Sequence, residues 1–215
     1  MSQYLANIHE DLQLSKEDKW GWVIYRTTYK DDAGWERFKG YVNAWNQELL
    51  SGPEEHDVPS AVLSAMEWTF VSDPATLDGA SRQQLRHRFR DWRNTAIQAE
   101  NPRRDPADTN LSQRYLFFVR VDEDSLKSVL EGNGDFLDLS WVHLIRCDEE
   151  LDFGRPLEHK DGELDWSLSP IPEHEDDGWM MISVHMINGE FYASLGTAIE
   201  YWYAFYASPP SVVHY

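Results

Sequence analysis

One cysteine, Cys147, is all the chain contains. A lone thiol excludes an intramolecular disulfide and a cysteine metal cage, and it fits a reducing compartment. Cys147 ends an apolar run beside Asp148, a setting that opposes thiolate formation, so the residue reads as structural. Long apolar runs are missing as well, and none approaches the ~18 residues that span a bilayer. The opening, MSQYLANIHEDLQLSKEDK, has no apolar segment of the secretory kind. The expectation is therefore a cytoplasmic protein. Positive charge is scarce: 19 Lys and Arg stand against 38 Asp and Glu, a net charge of −19. That disfavours nucleic acid and anionic membrane as partners, because both are held by basic surface.

Several catalytic signatures are also lacking. There is no P-loop and no G-x-G-x-x-G, and Gly132-Asn133-Gly134-Asp135 follows a helical pattern, the wrong context for a dinucleotide turn. There is no G-x-S-x-G nucleophile elbow. The eight histidines include no pair at i, i+4, the spacing of a helical zinc site. Glu173-His174-Glu175-Asp176-Asp177 lacks the Asp/Asn–Gly pattern of a calcium loop and reads as a solvated acidic loop. No metal and no cofactor are expected.

What is present begins with Trp20 to Leu50, WGWVIYRTTYKDDAGWERFKGYVNAWNQELL. Trp20 to Tyr29 is rich in β-branched and aromatic residues, with apolar groups on both faces, so it predicts a central strand. Asp31 and Asp32 supply helix N-caps and negative charge at the positive end of a helix. Trp35, Phe38, Val42, Trp45 and Leu49 then recur at helical spacing. Further strands are predicted near 66–71, 114–121, 141–147 and 179–187. A capping box at Ser81-Arg82-Gln83-Gln84 opens a second long helix, near 81–98, whose apolar stripe is Leu85, Phe89, Trp92 and Ala96. Asp122 to Ser125 caps a shorter one. Asn101 to Ser112 is turn-rich and reads as a mobile connector. Asn188-Gly189 signals a tight turn, a short helix is expected near 191–195, and 200–206 fits strand or helix.

The expected organisation is an N-terminal arm (1–19), one α+β domain (20–207) and a C-terminal tail (208–215). The expected sheet is mainly antiparallel with the helices on one face, in a ferredoxin-like or related split βαβ sandwich. Trp35, Phe38, Trp45, Phe89 and Trp92 are expected to share one core. Charge is segregated. Seven arginines fall between Arg82 and Arg104, whereas 148–178 holds 12 acids and 2 bases, a net −10.

WGWVIYRTTYKDDAGWERF resembles the opening of a family of intracellular proteins of filamentous fungi, with the shared look W-G-Φ-V-I-Y-R-x-x-Y-x-D-D-x-x-W-x-x-F. Arg114 to Leu126 (RYLFFVRVDEDSL) is similar to a second piece, an aromatic strand followed by an acidic helix start. Gly178-Trp179 and Pro209-Pro210-Ser211-Val212 fit the remainder. The resemblance implies an intracellular protein. It carries no assigned chemistry, so no catalytic residue comes with it.

Polar residues inside apolar strands are the remaining clue, because a buried charge needs a partner. Arg26, Arg120, Arg146, His143 and His185 are the candidates. The plain reading pairs the arginines with Asp122, Asp148 and their neighbours at the sheet ends. The sharper reading places some of them in a cleft, Arg26, Arg120 and Arg146 binding an anionic or carbonyl group and His143 and His185 acting as acid or base. The function then expected is binding of an apolar or aromatic small molecule, with non-redox acid–base chemistry of the isomerase, cyclase or lyase kind. The alternative is a non-catalytic module that associates through its basic helix and acidic loop, as a homodimer or with a foreign partner.

Overall fold

A computed structural model describes residues 2–51, 59–132, 140–147, 178–196 and 199–214. The acidic loop lies almost wholly outside these. Six strands form one sheet: β1 (Val23–Arg26), β2 (Thr69–Val71), β3 (Phe117–Val121), β4 (Trp141–Arg146), β5 (Trp179–Ser183) and β6 (Val212–Val213), in the order β2-β1-β3-β4-β5-β6. β1 pairs in parallel with both β2 and β3, β3-β4-β5 are antiparallel, and β6 returns parallel to β5. The fold is α+β, antiparallel in the middle of the sheet and parallel at its margins. This order gives the ferredoxin-like arrangement no support.

β1 is central, as its two apolar faces require. Trp22 and Ile24 point to one side and Val23 and Tyr25 to the other, and all four are buried. Each side therefore needs its own cover. Helix α2 (Asp32–Leu50) lays Trp35, Phe38 and Val42 over the first side, in a core that also holds Val119, Leu144 and Ile182. Past two short helices, α3 (Ser60–Ala65) and α4 (Pro74–Leu77), helix α5 (Arg82–Glu100) lays Leu85 and Phe89 over the second, with Phe118, Ile145 and Cys147. The expectation of both helices on one face, around one core, is thus corrected: Phe89 and Trp92 belong to the opposite core from Trp35 and Phe38. The α2 stripe is also rotated at its end. Trp45 is half-buried, and Asn46 is buried, donating to the carbonyls of Val42 (2.9 Å) and Ile187 (2.8 Å).

The caps read from sequence are present. The Asp31 carboxylate accepts from the Gly34 amide at 2.7 Å, and reciprocal capping boxes open α5 at Ser81/Gln84 and α7 (Glu123–Glu131) at Asp122/Ser125. Gly21 sits at φ +120°, and a Cβ there would strike the Glu67 carbonyl and the Trp68 ring. Glycine is needed at that position both for its backbone and for its close approach.

The ends of the chain are tied in more firmly than expected. Residues 3–15 form α1 (Gln3–Ser15), which buries Leu5 and Ile8 in the main core, so no loose arm exists there. The tail supplies β6. Asn188 caps a helix, α8 (Gly189–Leu195), instead of making a hairpin turn, because β5 runs on into a single 3₁₀ turn (Val184–Met186). Residues 199–205 are helical and form α9 (Ile199–Phe205), with Trp202 buried. The connector 101–112 is held at its middle: the Arg104 and Glu17 side chains, each 1% exposed, pair at 2.7 Å. The expected strand start at 114–116 is one helical turn, α6 (Gln113–Leu116), because Arg114 turns inward. It is fully buried and donates to Glu100 (2.8 and 2.9 Å), to Thr69 Oγ1 (2.9 Å) and to the carbonyls of Gly21 and Glu67. No helix of the described residues is long and apolar enough to cross a membrane.

Candidate functional site

Strand direction decides which polar residues meet. β1 and β3 run together, so Arg26 and Val121 end at one edge of the sheet. β4 runs the other way, which puts His143 opposite Arg120 at that same edge and Arg146 opposite Phe117 at the far one. Alternation then sorts them by face. Val142 and Leu144 enter the α2-side core, so His143 between them faces the α5 side.

Arg120, Asp122 and His143 form a compact cluster there. Arg120 Nη1 lies 3.2 Å from Asp122 Oδ2, and His143 Nε2 lies 2.9 Å from the same oxygen. An ionised carboxylate only accepts, so His143 donates from Nε2 and its Nδ1 is left as the available ring nitrogen. The His143 ring sits between Trp141 (centroids 5.0 Å apart, edge-on) and Trp179 (5.1 Å apart, tilted). Arg82, from the first turn of α5, lies over the Trp179 ring at 4.1 Å.

The electrostatics follow from this packing. Burial pushes the Asp122 carboxyl up, but the His143 hydrogen bond, the His143 charge, the Ser125 amide and Arg120 outweigh it and hold it well below the usual carboxylate range. The Arg120 guanidinium is pushed down by burial, raised by Asp122 and pushed down again by Arg82. Three polar atoms in this cluster are buried without a hydrogen-bond partner: His143 Nδ1, Arg120 Nε and Trp179 Nε1. Buried polar atoms are normally paired, and three orphans on adjacent side chains are unusual.

The other sequence candidates lie elsewhere. Arg26 is on the α2 face, donating to Asp32 (2.6 Å) and to the Thr28 carbonyl (2.7 Å) and stacking on Tyr29 (4.3 Å). That is the plain reading of a paired sheet-end arginine. His185 is also on the α2 side, hydrogen-bonded to the Tyr41 hydroxyl and packed on Trp45. Arg146, at the opposite end, lies 5.3 Å from the Trp202 ring. The structure therefore joins His143 with Arg120 and separates both from Arg26, Arg146 and His185. Sequence reasoning named Asp122 only as a neutralising partner and missed Trp141, Trp179 and Arg82 as companions. The i, i+2 spacing of Arg120 and Asp122, and of Trp141 and His143, was the available signal.

The basic helix is largely spent internally. Arg86 is buried and donates to the carbonyls of Arg146 and Gly178, both at 3.0 Å, and Arg93 reaches the Tyr115 carbonyl. Arg103 pairs with Asp18. A cleft of about 380 Å³ opens on the α2 side of the same sheet edge, between Asp31, Arg37, Leu126 and Leu130, and one of about 400 Å³ lies beside α1, next to His9 and Arg103. Neither includes His143 or Arg120. Among the described residues no three His, Cys, Asp or Glu side chains converge as a metal cage. Comparison with family models, with curated proteins and with solved structures finds no match.

Proposed function

We propose that the protein binds a small molecule on the α5 side of the sheet edge and moves a proton on it through the His143–Asp122 pair. The observation that carries this reading is the orphaned His143 Nδ1, buried beside two unpaired donors, Arg120 Nε and Trp179 Nε1, while Nε2 is held by Asp122. A base oriented by a carboxylate, with its second nitrogen turned to a buried polar spot, is the arrangement acid–base catalysis uses. Arg120 and Arg82 would stabilise negative charge that develops on the substrate. Trp141 and Trp179 provide apolar walls, as ligand sites generally do. The position also suits the fold. Arg120 and Asp122 lie at the carboxyl end of β3, which runs parallel to β1, and ligands of α/β sheets favour the carboxyl ends of such strands.

Non-redox chemistry of the isomerase, cyclase or lyase kind needs no more than these groups. Association through the basic helix gains less support, because Arg86 and Arg93 of α5, and Arg103 and Arg104 just beyond it, are engaged within the chain.

The test is a titration of the protein with benzoate and with its neutral isostere benzamide, following the His143 ring resonances by NMR. His143→Gln identifies those resonances among the eight histidines. Saturable shifts of the His143 ring with either compound are expected. An unmoved ring with both, up to tens of millimolar, sinks the proposal.

A further inference from the structure

We infer that the group recognised at this cluster is a carboxylate, so that the ligand of the site is a small, flat carboxylic acid anion. The inference rests on the binding reading above. Arg120 points Nη1 at Asp122, while its Nε is buried and unpaired. The edge left over is the side-on fork of Nε and Nη2, whose parallel N–H bonds match the two oxygens of a carboxylate. Trp179 Nε1 is a donor and nothing else, so it too calls for an acceptor. His143 Nδ1 becomes a donor when the ring is protonated.

Charge argues the same way. Arg82 and Arg120 are close enough to repel, and Asp122 is the one carboxylate among the described residues that pairs with either. Counted over the described residues, the cluster is therefore cationic within a chain of net charge −19. An anion would relieve that repulsion and pair the orphaned donors together. Flatness follows from the walls, since the indole rings of Trp141 and Trp179 flank the His143 ring and favour a planar, conjugated acid beside it.

The experiment compares benzoate, benzamide and inorganic phosphate on the full chain, read by His143 ring shifts, in the wild type and in Arg120→Met, Arg120→Lys and Arg82→Ala. The folding of each variant is checked by its denaturation midpoint. Benzoate should bind saturably and more tightly than benzamide. Arg120→Met should weaken benzoate by about tenfold or more, the scale of a charged hydrogen bond. Arg120→Lys should not restore it, because a lysine has no fork. Arg82→Ala, a change at a half-buried position, should weaken benzoate less while leaving the fold intact. Equal affinity for benzoate and benzamide would overturn the carboxylate while leaving the binding reading standing. Phosphate binding more tightly than benzoate would overturn it in favour of a tetrahedral anion. Silence from all three compounds would remove the binding reading itself.

Discussion

Arg114 shows how one side chain can organise its surroundings. It is fully buried, yet each face of its guanidinium is used: Glu100 and Thr69 on one side, two backbone carbonyls on the other, and the Trp92 ring at 5.6 Å. The Arg114 guanidinium is pushed down by burial but raised further by Glu100, and its net shift is upward. Arg114→Met should destabilise the protein by ~3–5 kcal/mol in urea unfolding, because it removes the nearest counter-charge of half-buried Glu100, leaving only Lys19, at 3.8 Å, among the described residues, and strips two carbonyls of their donor. Asp122 yields a prediction in pH. Its carboxyl is depressed in the folded state, so it stabilises the fold above the unfolded value of ~3.9, and that contribution is lost as the pH falls through the folded value. Asp122→Asn keeps an acceptor for the Ser125 cap but removes the charge. Urea midpoints measured from pH 7 to 3 should fall less steeply for the variant than for the wild type. Parallel curves would mean that Asp122 is not held by His143 and Arg120.

Among the elements, α2 and α5 are the pair to test against each other. Phe38 and Phe89 are both fully buried, but on opposite faces of the sheet. Each truncation to alanine should cost ~3–5 kcal/mol. The double variant should equal the sum within ~0.5 kcal/mol, because the two share no partner. A coupling energy well above that would put them in one core after all. Helix α1 is similarly committed. Leu5→Ala should cost ~2–5 kcal/mol, an outcome that a loose N-terminal arm could not produce. At the α5 terminus, Ser81→Ala removes one half of a capping box and should cost ~1 kcal/mol.

At the scale of the whole molecule, charge is the feature most easily misread from composition. Seven arginines in 82–104 suggest an exposed basic surface. Of these, Arg86 and Arg104 are buried, and Arg88 and Arg90 are exposed and form no ion pair among the described residues. Long-range steering by this helix should accordingly be weak. Sedimentation at 0.05 and 0.5 M salt should show no salt-dependent association driven by Arg88 and Arg90. A dimer that dissolves in salt and is lost in the Arg88→Gln/Arg90→Gln double variant would restore that reading.

The local features were legible because local physics sets them. The apolar, β-branched run of 20–29 made β1 a central strand, the carboxylates at 31 and 122 and the hydroxyl at 81 placed helix starts, and two-residue alternation put Arg120 beside Asp122. Each depends on spacing along the chain. The rest depended on partners far away in sequence. Whether α2 and α5 shared a face turned on which side of β1 each helix crossed, and periodicity does not encode that. The inward turn of Arg114, which made a helical turn of a predicted strand start, was decided by Glu100 and by two carbonyls more than 40 residues away. The site was decided in the same manner. His143 and His185 look alike in sequence, each inside an aromatic strand. The antiparallel return of β4 set His143 against Arg120 and Asp122, and the 3₁₀ turn after β5 carried His185 to the other face, against Tyr41 and Trp45.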